Sequence, residues 1–271
     1  MKPDGRRTSA QAILGCLITV LCGAISLVPA SAWRSSPKVE RGATTGYKAV
    51  AFDYLVLFNP DSVVSAAEQV VPGRGGELVV LWRTRQFEYS WLRSITGSYV
   101  DFSRITVDAL MFAADAMKVA LTTEQEQRLL DAYSHLAPWP DTADTLRRLR
   151  ELHIRVITIA NFSPLMLRAN AESAGLTPLF DALVSTDANH TYKPDPRAYR
   201  LGIDRLGLNR QDVVFAAFGG WDAAGAKSFG YPTVWVNRLG QPTERLGVRP
   251  DQTVKDLRGL LEFVLQRRPP S

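Results

Sequence analysis

Four polar residues of this 271-residue chain follow apolar runs, and together they could do chemistry. Asp53 closes the run Tyr47-Lys48-Ala49-Val50-Ala51-Phe52, and Asn161 follows Arg155-Val156-Ile157-Thr158-Ile159-Ala160. Lys193 comes a short loop after Ala182-Leu183-Val184-Ser185, and Asp222 follows Val213-Val214-Phe215-Ala216-Ala217 and a Gly219-Gly220-Trp221 turn. A carboxylate beside a lysine is held ionised and is available as a nucleophile. A second carboxylate keeps that lysine charged and oriented. Each residue alone has a structural reading: Asp53 capping a turn, Lys193 and Asp222 forming an ion pair. Their shared place after apolar runs favours a site.

The elements that must position them are legible in the same runs. Short, continuous, β-branched apolar stretches predict strands buried on both faces, as in a parallel sheet. Thr233-Val234-Trp235-Val236 adds another such run. Helix-period segments separate them. Thr142 to Leu152 places Ala143, Leu146, Leu149 and Leu152 on one face, and Ser163-Pro164 opens a helix that Gly175 ends. Alternating strands and helices imply an α/β fold, a Rossmann-like doubly wound parallel sheet, with ligands bound outside the carboxyl ends of the strands. Residues 61–138 break the alternation and read as helices only: Asp61 to Val70, Leu78 to Ile95, Ser103 to Val119, and Thr123 to Leu136 with a Thr123…Glu126 capping box. A Gly-rich loop, Pro72 to Gly76, lies between the first two. The expected organisation is an α/β core over residues 46–60 and 139–265, with 61–138 inserted as a helical cap.

The amino-terminal stretch differs. Lys2, Arg6 and Arg7 precede a charge-free segment, Ala12 to Val28, and Ala30-Ser31-Ala32 offers a small-residue cleavage pattern. Residues 1–32 therefore read as a secretory signal peptide, with an uncleaved membrane anchor as the alternative. Export to the periplasm or medium is expected, and membrane association only if the segment stays attached. Residues 33–45 read as a linker. Both cysteines, Cys16 and Cys22, lie in the leader, so a chain cut after Ala32 has no disulfide, thiolate metal site or cysteine nucleophile. Its net charge drops from +5 to +3. No Lys/Arg block is present to grip a phosphate backbone, which argues against nucleic acid as a partner. His135, His153 and His190 are too scattered to suggest a metal site.

From about residue 46 to about residue 265 the chain resembles the L-2-haloacid dehalogenases of the haloacid dehalogenase superfamily. Three stretches carry the resemblance: Trp82 to Arg93 with Tyr99-Val100-Asp101-Phe102, Tyr192 to Tyr199, and Trp221 to Arg238. The resemblance implies hydrolytic dehalogenation of (S)-2-haloalkanoic acids to (R)-2-hydroxy acids through an aspartyl ester, without a cofactor or metal. Asp53 matches the nucleophile, Lys193 the lysine that neutralises it and the substrate carboxylate, and Asp222 the acid that holds the lysine and positions water. Arg83 and Asn161 match the halide cradle, Tyr199 a tyrosine near the lysine, and Tyr54 and Trp221 aromatic residues of the pocket wall. A homodimer through the cap is implied by the same likeness.

The chain departs from that family at three motifs. The first, normally Phe-Asp-x-Tyr-Gly-Thr-Leu-Phe, is Phe52-Asp53-Tyr54-Leu55-Val56-Leu57-Phe58 here, one residue shorter and without the Thr hydroxyl that holds the nucleophile. The second has Ala160-Asn161-Phe162 for Ser-Asn-Gly, and the fourth has Ala217-Phe218-Gly219 for Ser-Ser-Asn. Each lost hydrogen bond to a charged group costs about 1.5–3 kcal/mol. A dehalogenase-like binding or scaffold protein with impaired turnover is therefore the alternative. A superfamily phosphatase ranks below it, because that chemistry uses an acid two residues after the nucleophile, where Leu55 stands.

Overall fold

The computed structural model describes residues 46–266. Residues 1–32 and 33–45, read above as leader and linker, lie outside them. Five parallel strands form the sheet: β1 (Ala49–Phe52), β2 (Arg155–Thr158), β3 (Val213–Ala217), β4 (Thr233–Val236) and β5 (Gln252–Val254). Their order is β2-β1-β3-β4-β5. The register pairs Phe52 with Thr158 on one side and with Ala216 on the other, so β1 is an interior strand whose end lies beside the ends of both neighbours.

Side chains alternate across a strand, and both faces are covered. Val50, Phe52, Val214 and Ala216 enter one apolar cluster, while Ala49, Ala51, Phe215 and Ala217 enter a second on the opposite face. This is why β1 and β3 read as unbroken apolar runs. The run Ala182 to Ser185 is not a full strand: it pairs with the segment 157–160 through isolated bridges, Ile157 with Ala182 and Ala160 with Ser185.

Helices α1 (Tyr54–Leu57), α2 (Val64–Val70), α3 (Gly75–Thr96), α4 (Phe102–Ala116), α5 (Thr123–Ser134) and α6 (Thr142–Glu151) all lie between β1 and β2. Helices α7 (Pro164–Ser173), α8 (Pro196–Leu206), α9 (Gly220–Phe229) and α10 (Leu257–Leu265) follow. The architecture is α/β, with an all-helical insertion after the first strand. The capping box of α5 sits one residue earlier than its sequence suggests. Thr122 Oγ1 accepts from Gln125 N at 3.2 Å, and Gln125 Oε1 accepts from Thr122 N at 2.9 Å. Thr122, Thr123 and Gln125, Glu126 offer two registers of the same motif, and the helix starts at the first.

The insertion is tied to the sheet side by polar and aromatic contacts. Tyr192 OH donates to Val100 O at 2.5 Å, Ser103 and Ser163 hydroxyls lie 2.7 Å apart, and Phe102 stacks on Phe162 with centroids 5.2 Å apart. Phe162, the bulky residue of the second motif, is buried between Tyr54, Phe102 and Tyr133. It joins the apolar cluster.

Candidate active site

Asp53 stands at the carboxyl end of β1, where its N–H donates to Ala216 O at 2.9 Å. The chain then turns at once into the four-residue α1, with Asp53 as its N-cap; Asp53 Oδ1 accepts from Leu55 N at 2.8 Å. So short a helix satisfies few of its own carbonyls. Other groups take them: Trp139 Nε1 donates to Leu55 O, Arg238 Nε to Val56 O and Thr142 Oγ1 to Leu57 O, at 3.0, 3.0 and 2.8 Å. The shortened first motif is accommodated in this way. Asp53, not the buried Phe52, faces the site, and the backbone N–H of Leu55 holds its carboxylate in place of a threonine hydroxyl.

The second Asp53 oxygen, Oδ2, lies 2.5 Å from Lys193 Nζ, and Lys193 Nζ lies 2.8 Å from Asp222 Oδ2. The Lys193 side chain is 1% exposed, Asp222 is fully buried, and Asp53 keeps 14% of its surface open. Tyr199 OH donates to Asp222 Oδ1 at 2.7 Å. The series runs inward from Asp53, which reaches the cavity, through Lys193 to Asp222 and Tyr199.

Burial pushes the Asp222 carboxyl up, and the neighbouring Asp53 charge adds to that. Lys193 and Tyr199 pull it back, leaving it at about 6. Burial also works against the Lys193 ammonium, but the two carboxylates together outweigh it and hold its pKa above the ordinary lysine value. Lys193 is thus a permanent cation. Burial, with Asp222 beside it, raises the Tyr199 phenol well above its usual range, so it stays a donor.

The other expected site residues divide. Arg83, from α3, and Trp221, at the start of α9, line a cavity of about 710 Å³ that Asp53 also lines. Arg83 Nη1 pairs with Asp61 Oδ1 at 2.9 Å. Asn161 is spent elsewhere: its Oδ1 accepts from Lys193 N at 2.9 Å, so it fixes the loop that carries the lysine and does not line this cavity. Tyr54 does not line it either. Its ring is buried against Phe58 and Phe162, and its hydroxyl donates to Leu167 O at 2.9 Å. Tyr54 is the first residue of α1, and the helical turn aims it under the sheet edge.

Sequence reasoning missed most of the far wall. Leu55, Phe87, Phe218 and Trp235 line the cavity, with Asn237, Leu239 and the segment 241–245 at its mouth. That segment carries no periodicity to mark it. Among the described residues no group of three or more His, Cys, Asp or Glu is placed to hold a metal.

The chain that brings this carboxylate, buried cation and second acid to the carboxyl edge of a parallel sheet has relatives among known proteins. Residues 47–230 match the model of the haloacid dehalogenase-like hydrolases. The chain belongs to this family. It is 42% identical over 217 residues to an (S)-2-haloacid dehalogenase of Pseudomonas sp. (strain YL), covering 80% of this chain and 94% of that one. It is 40% identical over 195 residues to the (S)-2-haloacid dehalogenase of Xanthobacter autotrophicus, covering 72% and 76%. The crystal structure of an L-2-haloacid dehalogenase from Xanthobacter autotrophicus with chloropropionic acid covalently bound superposes with a TM-score of 0.76 at 34% identity, covering 80% of this chain and 98% of that one. The parallel sheet with its helical insertion is thus the fold of this family.

Proposed function

We propose that this hydrolase converts (S)-2-haloalkanoic acids to (R)-2-hydroxy acids through an ester of Asp53. The observation that carries the reading is the Asp53–Lys193–Asp222 series opening onto a cavity that also holds Arg83. One Asp53 oxygen attacks C2 in line, and the new C–O bond forms as the carbon–halogen bond breaks. Halide leaves with the bonding pair, near the Arg83 guanidinium. Lys193 pairs with Asp53 and offsets the substrate carboxylate. Water then adds to the Asp53 carbonyl carbon and the acyl C–O bond breaks. The hydroxy acid departs with a proton from that water, the second proton goes to solvent, and the carboxylate is regenerated. An apolar cavity suits a displacement that moves charge from carboxylate to halide.

The test is halide release from L-2-chloropropionate and L-2-bromopropionate by the chain lacking residues 1–32, beside Asp53→Asn. Release that vanishes in the variant supports the reading. No release from a folded wild-type protein sinks it and leaves a binding or scaffold protein.

Two finer parts of the reading rest on narrower support. A homodimer through the helical insertion is favoured by α3, where Leu92 and Ile95 are 55% and 82% exposed beside the unpartnered buried Trp91 Nε1 and Ser94 Oγ. Sedimentation at several concentrations tests it. Export rests on the basic start and apolar segment of residues 1–32 and is tested by fractionating cells that express the full chain.

A further inference from the structure

The cavity beside Asp53 is wide and rich in aromatic side chains, and it opens at the mouth segment 241–245. Its volume is about 710 Å³, against roughly 150 Å³ for a cavity that holds benzene, and it falls in the range of sites for much larger ligands. A short acid would leave most of it to water, which weakens the charge interactions the reaction depends on.

Its wall is built for a ring. Phe87, Phe218, Trp221 and Trp235 line it with Leu55 and Leu239. Trp221 is held edge-on by Phe87 and Trp91, with centroids 5.5 and 5.4 Å away, so its orientation is fixed by neighbouring rings. Trp235 Nε1 donates to Phe218 O at 2.9 Å, which fixes the second indole and uses up its polar group. Glycines make this possible. A Cβ on Gly219 would stand 2.7 Å from Trp221 Nε1, and one on Gly220 would stand 2.7 Å from Glu244 Cγ and 3.4 Å from Trp235 Cζ2. Glycine at 219 lets the Trp221 indole close in over the backbone beside the catalytic carboxylate. Besides Asp53 and Arg83, the charged groups of the lining, Glu244 and Arg245, lie on the exposed mouth segment.

We propose that the preferred substrates are 2-halo acids with an aryl-bearing substituent on C2, the ring lying against the Phe87–Phe218–Trp221–Trp235 wall while C2 meets Asp53. This rests on the dehalogenation reading and names the substrate class of the same site. Aromatic side chains attract aromatic ligands in offset or edge-on geometry, and filling an apolar pocket by even one carbon changes specificity by about tenfold or more.

The experiment compares kcat/KM for halide release from L-2-bromo-3-phenylpropionate and L-2-bromopropionate, on wild type and Trp221→Ala, together with calorimetric binding of the product acids phenyllactate and lactate to the wild type. The expected result is a preference of about tenfold or more for the phenyl substrate, falling towards unity in Trp221→Ala, with phenyllactate bound more tightly than lactate. Turnover of bromopropionate with equal or slower turnover of the phenyl analogue overturns the inference and leaves the dehalogenase reading standing. If neither halide is released, that reading fails, and the binding comparison decides the pocket alone: tighter phenyllactate upholds it and equal binding overturns it.

Discussion

Lys193→Met removes the one cation between two carboxylates. In the wild type Lys193 Nζ lies 2.5 Å from Asp53 Oδ2 and 2.8 Å from Asp222 Oδ2, with Asp222 fully buried. Asp53 can still meet water through the cavity, but Asp222 cannot. Removing one partner of a buried pair costs about 3–5 kcal/mol, which for a domain of this size lowers Tm by about 6–20 °C. The loss has a pH signature. In the wild type Asp222 titrates at about 6. Without Lys193, the Asp222 pKa moves higher, because a cause that lowered it is gone. A carboxyl whose folded pKa is raised loses stability as pH rises from its unfolded value through its folded one. About one pH unit above 6 the wild type has completed that loss, while the variant continues to lose up to about 1.4 kcal/mol per pH unit. The raised Lys193 pKa keeps the wild-type contribution of the lysine constant over the same interval. Urea unfolding at pH 6 and pH 8 should therefore show a gap that widens with pH, and Lys193→Met/Asp222→Asn should recover most of it. A loss under about 1 kcal/mol, or a gap equal at the two pH values, would refute the assigned electrostatics.

Tyr199→Phe removes a hydrogen bond that lowers the Asp222 pKa, so the acid limb of the kcat/KM profile should move to higher pH while the alkaline side stays in place. Gly225→Ala should destabilise by about 1–3 kcal/mol and slow halide release, because a Cβ there would stand 2.4 Å from Tyr199 Oη and 2.8 Å from Pro194 Cβ, two groups that flank Asp222 and Lys193; urea titration and steady-state rates check both. Asn161→Ala should raise KM and lower kcat without altering the cavity wall, because it frees Lys193 N, whose acceptor is Asn161 Oδ1 at 2.9 Å; Asn161→Asp, which keeps that acceptor, should retain more activity.

The sheet was legible because its strands are buried on both faces, which forces continuous apolar runs. It was less so at the edges: β5 is three residues long, and Ala182 to Ser185 contributes only bridges. That Asp53, Lys193 and Asp222 come together was legible because each follows a run that ends at the same edge. What sequence could not give was direction. Tyr54 and Asn161 occupy the right places in the chain, but a helical turn sends one into the core and a backbone N–H captures the other. The donor that replaces the missing threonine is the Leu55 backbone, which every sequence carries and none advertises. Phe162, which stands where the family has glycine, completes a packed aromatic cluster.

The central claim is that Asp53 is esterified and then released by water attacking its own carbonyl carbon. A single turnover of L-2-bromopropionate in ¹⁸O-labelled water, with enzyme in excess, followed by mass spectrometry of the peptide containing Asp53, tests it directly. The account predicts the label in the Asp53 carboxylate and unlabelled oxygen in the hydroxy acid. Label in the hydroxy acid, with Asp53 unlabelled, would mean that water attacks C2 itself and would contradict it.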